Sequence, residues 1–68
     1  MEKIYNYFYT DITVTTFKLL AIDTENKEYS ITTVNDESKL PADADIISDE
    51  VFDLLLSGMS QASYKEIK

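Results

Sequence analysis

The sequence contains no cysteine and no histidine. Without cysteine, no disulfide can staple the fold, and a disulfide-built secreted scaffold is excluded. Without histidine, a zinc site would rest on carboxylates alone, an uncommon donor set. The same two absences remove the commonest general base and the best side-chain nucleophile. Arginine is missing as well, and six lysines face thirteen acids, for a net charge of −7. Phosphate binding needs clustered Lys or Arg, so this balance argues against nucleic acid as a partner. A single glycine, Gly58, leaves nothing from which to build a glycine-rich phosphate loop. The longest unbroken apolar run is four residues, Leu19 to Ile22, where a membrane span needs about 20. The first ten residues lack the basic start, apolar stretch and small-residue cleavage site of a signal peptide.

At 68 residues the chain is sized for one domain, near the lower limit for folding alone. A core of this size rarely supplies more than about 3–5 kcal/mol. The expected reinforcement is therefore a partner protein or a second copy of the chain. The acids are unevenly placed. Between positions 36 and 53 lie Asp36, Glu37, Asp43, Asp45, Asp49, Glu50 and Asp53, against Lys39 alone. Such a run is either a solvated face that keeps the protein in solution or a patch that meets a basic surface.

Period-2 patterning dominates the first half. In Ile4 to Tyr9, the residues Tyr5, Tyr7 and Tyr9 share one parity and so one face of a strand. The β-branched stretch Ile12 to Ile22 is the clearest strand signal. Ile12, Val14, Leu20 and Ile22 share one parity, while Phe17, Leu19 and Ala21 take the other. Either the end of the strand is covered on both sides or a bulge near Thr15–Thr16 shifts the register. A polar turn near 24–27 follows, with Asn26 suited to left-handed backbone. The run 28–34 then completes a hairpin, with Tyr29, Ile31 and Thr33 on one face and Thr32 and Val34 on the other.

The second half reads as a loop over 35–47 followed by a helix over 48–58. Pro41 disfavours helix at Leu40, and Ile46–Ile47 is long enough only for an edge strand. Ser48 is a good N-cap, with Asp49 and Glu50 in the first turn. Phe52, Leu55, Leu56 and Met59 match the spacing of one buried helix face. Gly58 is placed to end the helix. The residues after it could extend the helix, add a strand or fray. The expected fold is α+β: a small antiparallel sheet of about three strands with one C-terminal helix packed on it.

Catalytic and metal-binding patterns are weak. Carboxylates occur close in sequence, but a glycosidase needs two of them across a formed cleft. The run Asp43, Asp45, Asp49 lacks the central glycine and the ligand spacing of a calcium loop. No cofactor pattern is present, and the chain is read as a non-enzyme. The candidate partner-binding residues are instead Tyr5, Tyr7 and Tyr9, the acids Asp43, Asp45, Asp49, Glu50 and Asp53, and Leu54. Tyrosine anchors many interfaces, although a stripe of tyrosines also covers a core well. Leu54 lies off the Phe52–Met59 face and is a candidate exposed contact.

Residues 40–61 carry a further pattern: Pro41, Asp43-Ala44, Ser48-Asp49-Glu50, Leu54-Leu55, Gly58 and Ser60. In this order they resemble an element of bacteriophage tail-fibre assembly chaperones and tail-fibre tip proteins. Met59 stands where that family has glutamine and Ala62 where it has glycine, and residues 1–35 match nothing in it. The resemblance covers about a third of the chain, and part of it is generic helix capping. It implies a phage-encoded protein of the host bacterial cytoplasm, or one associated with the virion, that helps a fibre fold or stays on its tip. It assigns no functional residue. The expected function is accordingly a protein-binding module acting on a tail fibre. The rival expectation is a small acidic, DNA-mimicking inhibitor of a host nucleic-acid or defence enzyme, and a third is an oligomerising structural module.

Overall fold

Residues 5–67 are described by a computed structural model, and period-2 alternation organises its centre. Three strands, β1 (Asn6–Asp11), β2 (Phe17–Asp23) and β3 (Glu28–Val34), form an antiparallel meander. Leu20 pairs with Phe8 on one side and Ile31 on the other, and Ile22 with Asn6 and Tyr29. These even residues of β1 and β2 and odd residues of β3 share a face. On it sits α1 (Asp49–Gln61), whose Phe52 is fully buried with Leu20 in a core completed by Ile22 and Met59. Phe8, Tyr29, Ile31, Ile47, Leu55 and Leu56 pack around them.

Two further strands flank the meander. β4 (Asp45–Ile46) pairs in parallel with β1, and β5 (Lys65–Glu66) in parallel with β3, giving the order β4-β1-β2-β3-β5. The expectation of about three antiparallel strands is thus corrected to a five-stranded mixed sheet within the same α+β class. Each added strand is two residues long, too short to leave a periodic signal. Long-range backbone bonds hold them in place: Ile47 N–H donates to Tyr9 O, Lys65 N–H to Lys27 O and Ile67 N–H to Tyr29 O.

The strand expected over 12–22 begins only at Phe17. Residues 12–16 are the β1–β2 hairpin loop. Thr13 Oγ1 accepts from the Thr15 and Thr16 N–H groups, and Ile12 and Thr13 N–H both reach Thr16 O. Hydroxyl-to-backbone bonding of this kind competes with a ladder, so neither a bulge nor a doubly covered strand is needed. At the β2–β3 turn, Asn26 bonds to Asp23 through its N–H and Nδ2, and Asp23 also accepts from Glu25 N–H. The left-handed residue there is Lys27, with φ 54°, not Asn26. Of the N-terminal strand, Ile4 lies outside the described residues.

The connection expected as a loop over 35–47, with Ile46–Ile47 long enough only for an edge strand, contains a 3-10 turn at Glu37–Lys39, capped by Asp36, and the edge strand β4 at Asp45–Ile46. Helix α1 starts where its signals place it: Ser48 Oγ accepts from Val51 N–H at 3.2 Å. Ile47 and Phe52 occupy the positions of a hydrophobic staple, and both belong to the core. Thr10, buried on β1, donates to Asp49 Oδ1 at 2.8 Å and ties the helix start to the sheet. Lys18 lays its Nζ 4.7 Å from the centroid of the Phe52 ring, closing the core with a cation over an aromatic face.

The helix does not stop at Gly58. It continues to Gln61 and ends in a Schellman arrangement, with Tyr64 N–H on Met59 O and Ser63 N–H on Ser60 O. Ser63 is the left-handed residue, φ 67°, and Tyr64 joins Met59 at the core. The backbone of Gly58 has no positive φ.

Left-handed backbone costs a non-glycine residue roughly 1–2 kcal/mol, partly offset by the chain entropy glycine loses on folding. Lys27→Gly and Ser63→Gly are each expected to stabilise the fold by about 0.5–1 kcal/mol, read as a higher urea midpoint at constant m. Unchanged midpoints in both variants would show that neither position is strained.

Candidate functional site

The sheet has two faces and one helix. Tyr7 pairs with Ala21 and Tyr9 with Leu19, which puts both tyrosines on the face away from α1. Tyr5, just before β1, stacks its ring 5.9 Å from that of Tyr7. Tyr9 meets Phe17 edge-on, with centroids 5.9 Å apart and an interplanar angle of 83°. The three tyrosines are half-buried, as are Leu19 and Ala21 beside them.

Ile46 extends this surface. It pairs with Tyr9 across the parallel β4–β1 ladder, so it stands on the same face, and it is 60% exposed. The row Ile46–Tyr9–Leu19 is therefore apolar, and it passes into hydroxyls at Thr32 and Ser30 on β3. One end of the face is closed, since Phe17 and Val34 are buried. The 35–44 connection, with half-buried Leu40 and Pro41, leaves β3 at that end and runs back along the sheet to enter β4, which is parallel to β1 and β3, from the other end. Sequence reasoning read Ile46 only as part of an edge strand. The missing signal was its register against Tyr9, which is a long-range fact.

The acids lie elsewhere. Asp43 is in the turn before β4, and Asp45 pairs with Phe8, on the helix side of the sheet. Asp49 and Glu50 open α1, where they favour the helix dipole, and Asp53 follows on an exposed position. Asp49 is the one held by Thr10. β4 is thus a seam: Ile46 faces with the tyrosines and Asp45 with the helix. Among the described residues, no three acidic side chains converge closely enough to hold a metal ion, and no helix is long and apolar enough to cross a membrane.

Leu54 belongs to a third place. It is 70% exposed and borders an open apolar groove of about 330 Å³. From α1 and its C-cap the groove takes Leu54, Leu55, Gly58, Met59 and Ala62, and from the sheet side Ile22, Thr24 and Tyr64. The candidate residues therefore do not form one site. The structure groups Tyr5, Tyr7 and Tyr9 on one face, sets Leu54 on the other, and strings the acids along the β4 edge and the start of α1. Two more apolar residues, Ile12 and Val14, project from the β1–β2 hairpin loop, Val14 at 96% exposure. They were expected inside a strand.

No family model, curated protein or solved structure matches the chain. What can be said of the site rests on its own chemistry. The chain presents two apolar surfaces on opposite sides of a thin slab, the tyrosine face and the groove beside α1.

Among the acids, Asp36 has its carboxyl held below the ordinary value of 3.8, first by the Ser38 backbone N–H and then by the Ser38 side chain. A depressed carboxylate stabilises the fold fully above that ordinary value, and the contribution is lost as pH falls through the lower folded value. A carbon-detected NMR titration should place the Asp36 midpoint below 3.8, with the shift abolished on urea unfolding. A midpoint at 3.8 in the folded chain would mean that the 3-10 cap is not formed in solution.

Proposed function

We propose that the chain is a protein-binding module that engages its partner with the helix-free face of the sheet. The observation that carries this reading is the row Ile46–Tyr9–Leu19, aromatic and apolar with no helix laid over it. Tyr5 and Tyr7 extend it along β1. Tyrosine supplies a large amphipathic contact area with few rotatable bonds, which suits an anchor residue. A standard interface takes roughly 800 Å² from each partner. The molecule is a slab with principal extents of 33 × 30 × 19 Å, so its broad faces are the surfaces large enough.

The resemblance of residues 40–61 supplies the partner class: a bacteriophage tail fibre, met in the host bacterial cytoplasm and in some cases retained on the virion. The acids support a second reading, inhibition of a host nucleic-acid or defence enzyme. Asp43 and Asp45 at β4 and Glu50 and Asp53 on α1 are all exposed, as side chains standing for phosphates would have to be. They alternate with Ala44, Ile46 and Val51 rather than forming a continuous rail, which favours the sheet face as the primary contact.

The two readings separate by salt and by mutation. A burial-driven contact survives high salt, whereas a charge-paired one weakens steeply. Immobilised chain is expected to retain a tail-fibre protein from phage-infected lysate through a high-salt wash, identified by mass spectrometry. Ile46→Asp should lose it, with at least a tenfold drop in recovery. The variant Asp43→Asn/Glu50→Asn/Asp53→Asn should retain it. Recovery of a nuclease or polymerase that salt releases and the triple variant abolishes would replace this reading with the inhibitor.

A further inference from the structure

Helix α1 carries more apolar surface than its own core uses. Phe52 and Met59 are buried and Leu55 and Leu56 half-buried. At about 100° per residue, Val51, Leu54, Gly58 and Ala62 run along one flank beyond them. Val51 is 41% and Leu54 70% exposed, and the flank opens into the groove beside Ile22 and Tyr64.

Gly58 has no evident role within the chain. Its φ is not positive, and a Cβ added there would meet nothing within 4 Å. Glycine inside a helix is unfavourable relative to alanine, so the fold alone gives no reason for it. A reason exists if another backbone or side chain approaches at that point. The flank also carries a projection to match the gap: Leu54 stands one helical turn before Gly58.

From these observations we infer that this flank is a homodimer contact, in which two copies of α1 pack antiparallel and Leu54 of each seats over Gly58 of the other. A two-fold contact is self-complementary: if Leu54 meets the partner's Gly58, the partner's Leu54 meets Gly58. Charge selects the antiparallel direction. The helix acids are Asp49, Glu50 and Asp53, and residues 54–61 are uncharged. Antiparallel packing sets each acidic turn against the uncharged half of the other helix, whereas parallel packing sets acid against acid. A chain of net charge −7 can tolerate the first arrangement far better. The groove lies on the opposite side of the sheet from Tyr7 and Tyr9, so this contact and the proposed partner face do not compete.

Sedimentation equilibrium of the purified full chain from about 1 µM to 1 mM, with melting followed over the same range, tests the inference. Dimerisation with a melting temperature that rises with concentration is expected, strengthened by added salt as residual repulsion is screened. Leu54→Asp and Gly58→Leu should each weaken dimerisation at least tenfold. Both positions are open to solvent, so the circular dichroism of the monomer should be unchanged. The double variant Leu54→Ala/Gly58→Leu exchanges projection and gap and should recover dimerisation to within a few-fold of the natural chain. A natural chain that stays monomeric at 1 mM overturns the inference. So does a dimer indifferent to both single variants, or a double variant no better than Gly58→Leu. Ile46→Asp should leave the dimer intact, which keeps this result independent of the sheet-face reading.

Discussion

A single 13-residue helix has to close one face of a five-stranded sheet, and Phe52 is where it does so. Everything that positions α1 serves that contact. Ser48 sets the first turn, Ile47 and Phe52 bracket it, and Thr10 reaches across from β1 to Asp49. Lys18 lays its Nζ over the face of the Phe52 ring. At the far end, the Schellman bonds of Ser63 and Tyr64 turn the chain back so that β5 can pair with β3. Removing the helix would leave Leu20 and Ile22 in water, with no other described element able to cover them.

The constraint has a second side. One helix cannot cover both faces, so the other is finished with aromatics that seal one another in part: Tyr5 against Tyr7 and Tyr9 against Phe17. An antiparallel sheet ordinarily turns polar residues outward on its open face. β3 does so with Ser30 and Thr32, but β1 and β2 do not. The departure from alternating polarity is what motivates the proposal that the β4–β1–β2 half meets a partner. The apolar flank of α1 departs in the same way from an amphipathic helix, because its outer arc holds Leu54 and Gly58 where polar residues would suffice. Both surfaces lie on a small core, so added burial at either would stabilise the fold as well as join it to another chain.

Legibility followed the range of the forces involved. The faces of β1, β2 and β3 were readable because side-chain parity is a local property, and the start of α1 because Ser48 and its acids act within one turn. The 12–16 stretch was misleading, since its β-branched residues favour strand while the Thr13 hydroxyl bonds a tight loop. Gly58 misled in the opposite sense. Glycine favours a helix end, yet the end is set by Ser63 and by the pull of Tyr64 into the core. Of the candidate site, the shared parity of the tyrosines and the outward placement of Leu54 were visible in sequence. Their separation onto opposite sides was not, nor was the pairing of Ile46 with Tyr9.

The sequence by itself determined the class: an acidic chain without cysteine, histidine or arginine, with alternating strands ahead of one amphipathic helix. These properties depend on composition and on neighbours a few residues apart. Tertiary structure alone decided which sheet face received the helix, how two-residue segments became strands, and where Gly58 came to lie. Those outcomes depend on hydrogen bonds and burial between residues tens of positions apart, such as Ile47 on Tyr9 or Thr10 on Asp49. No local pattern encodes them, because each partner's preference is satisfied only once the other is in place.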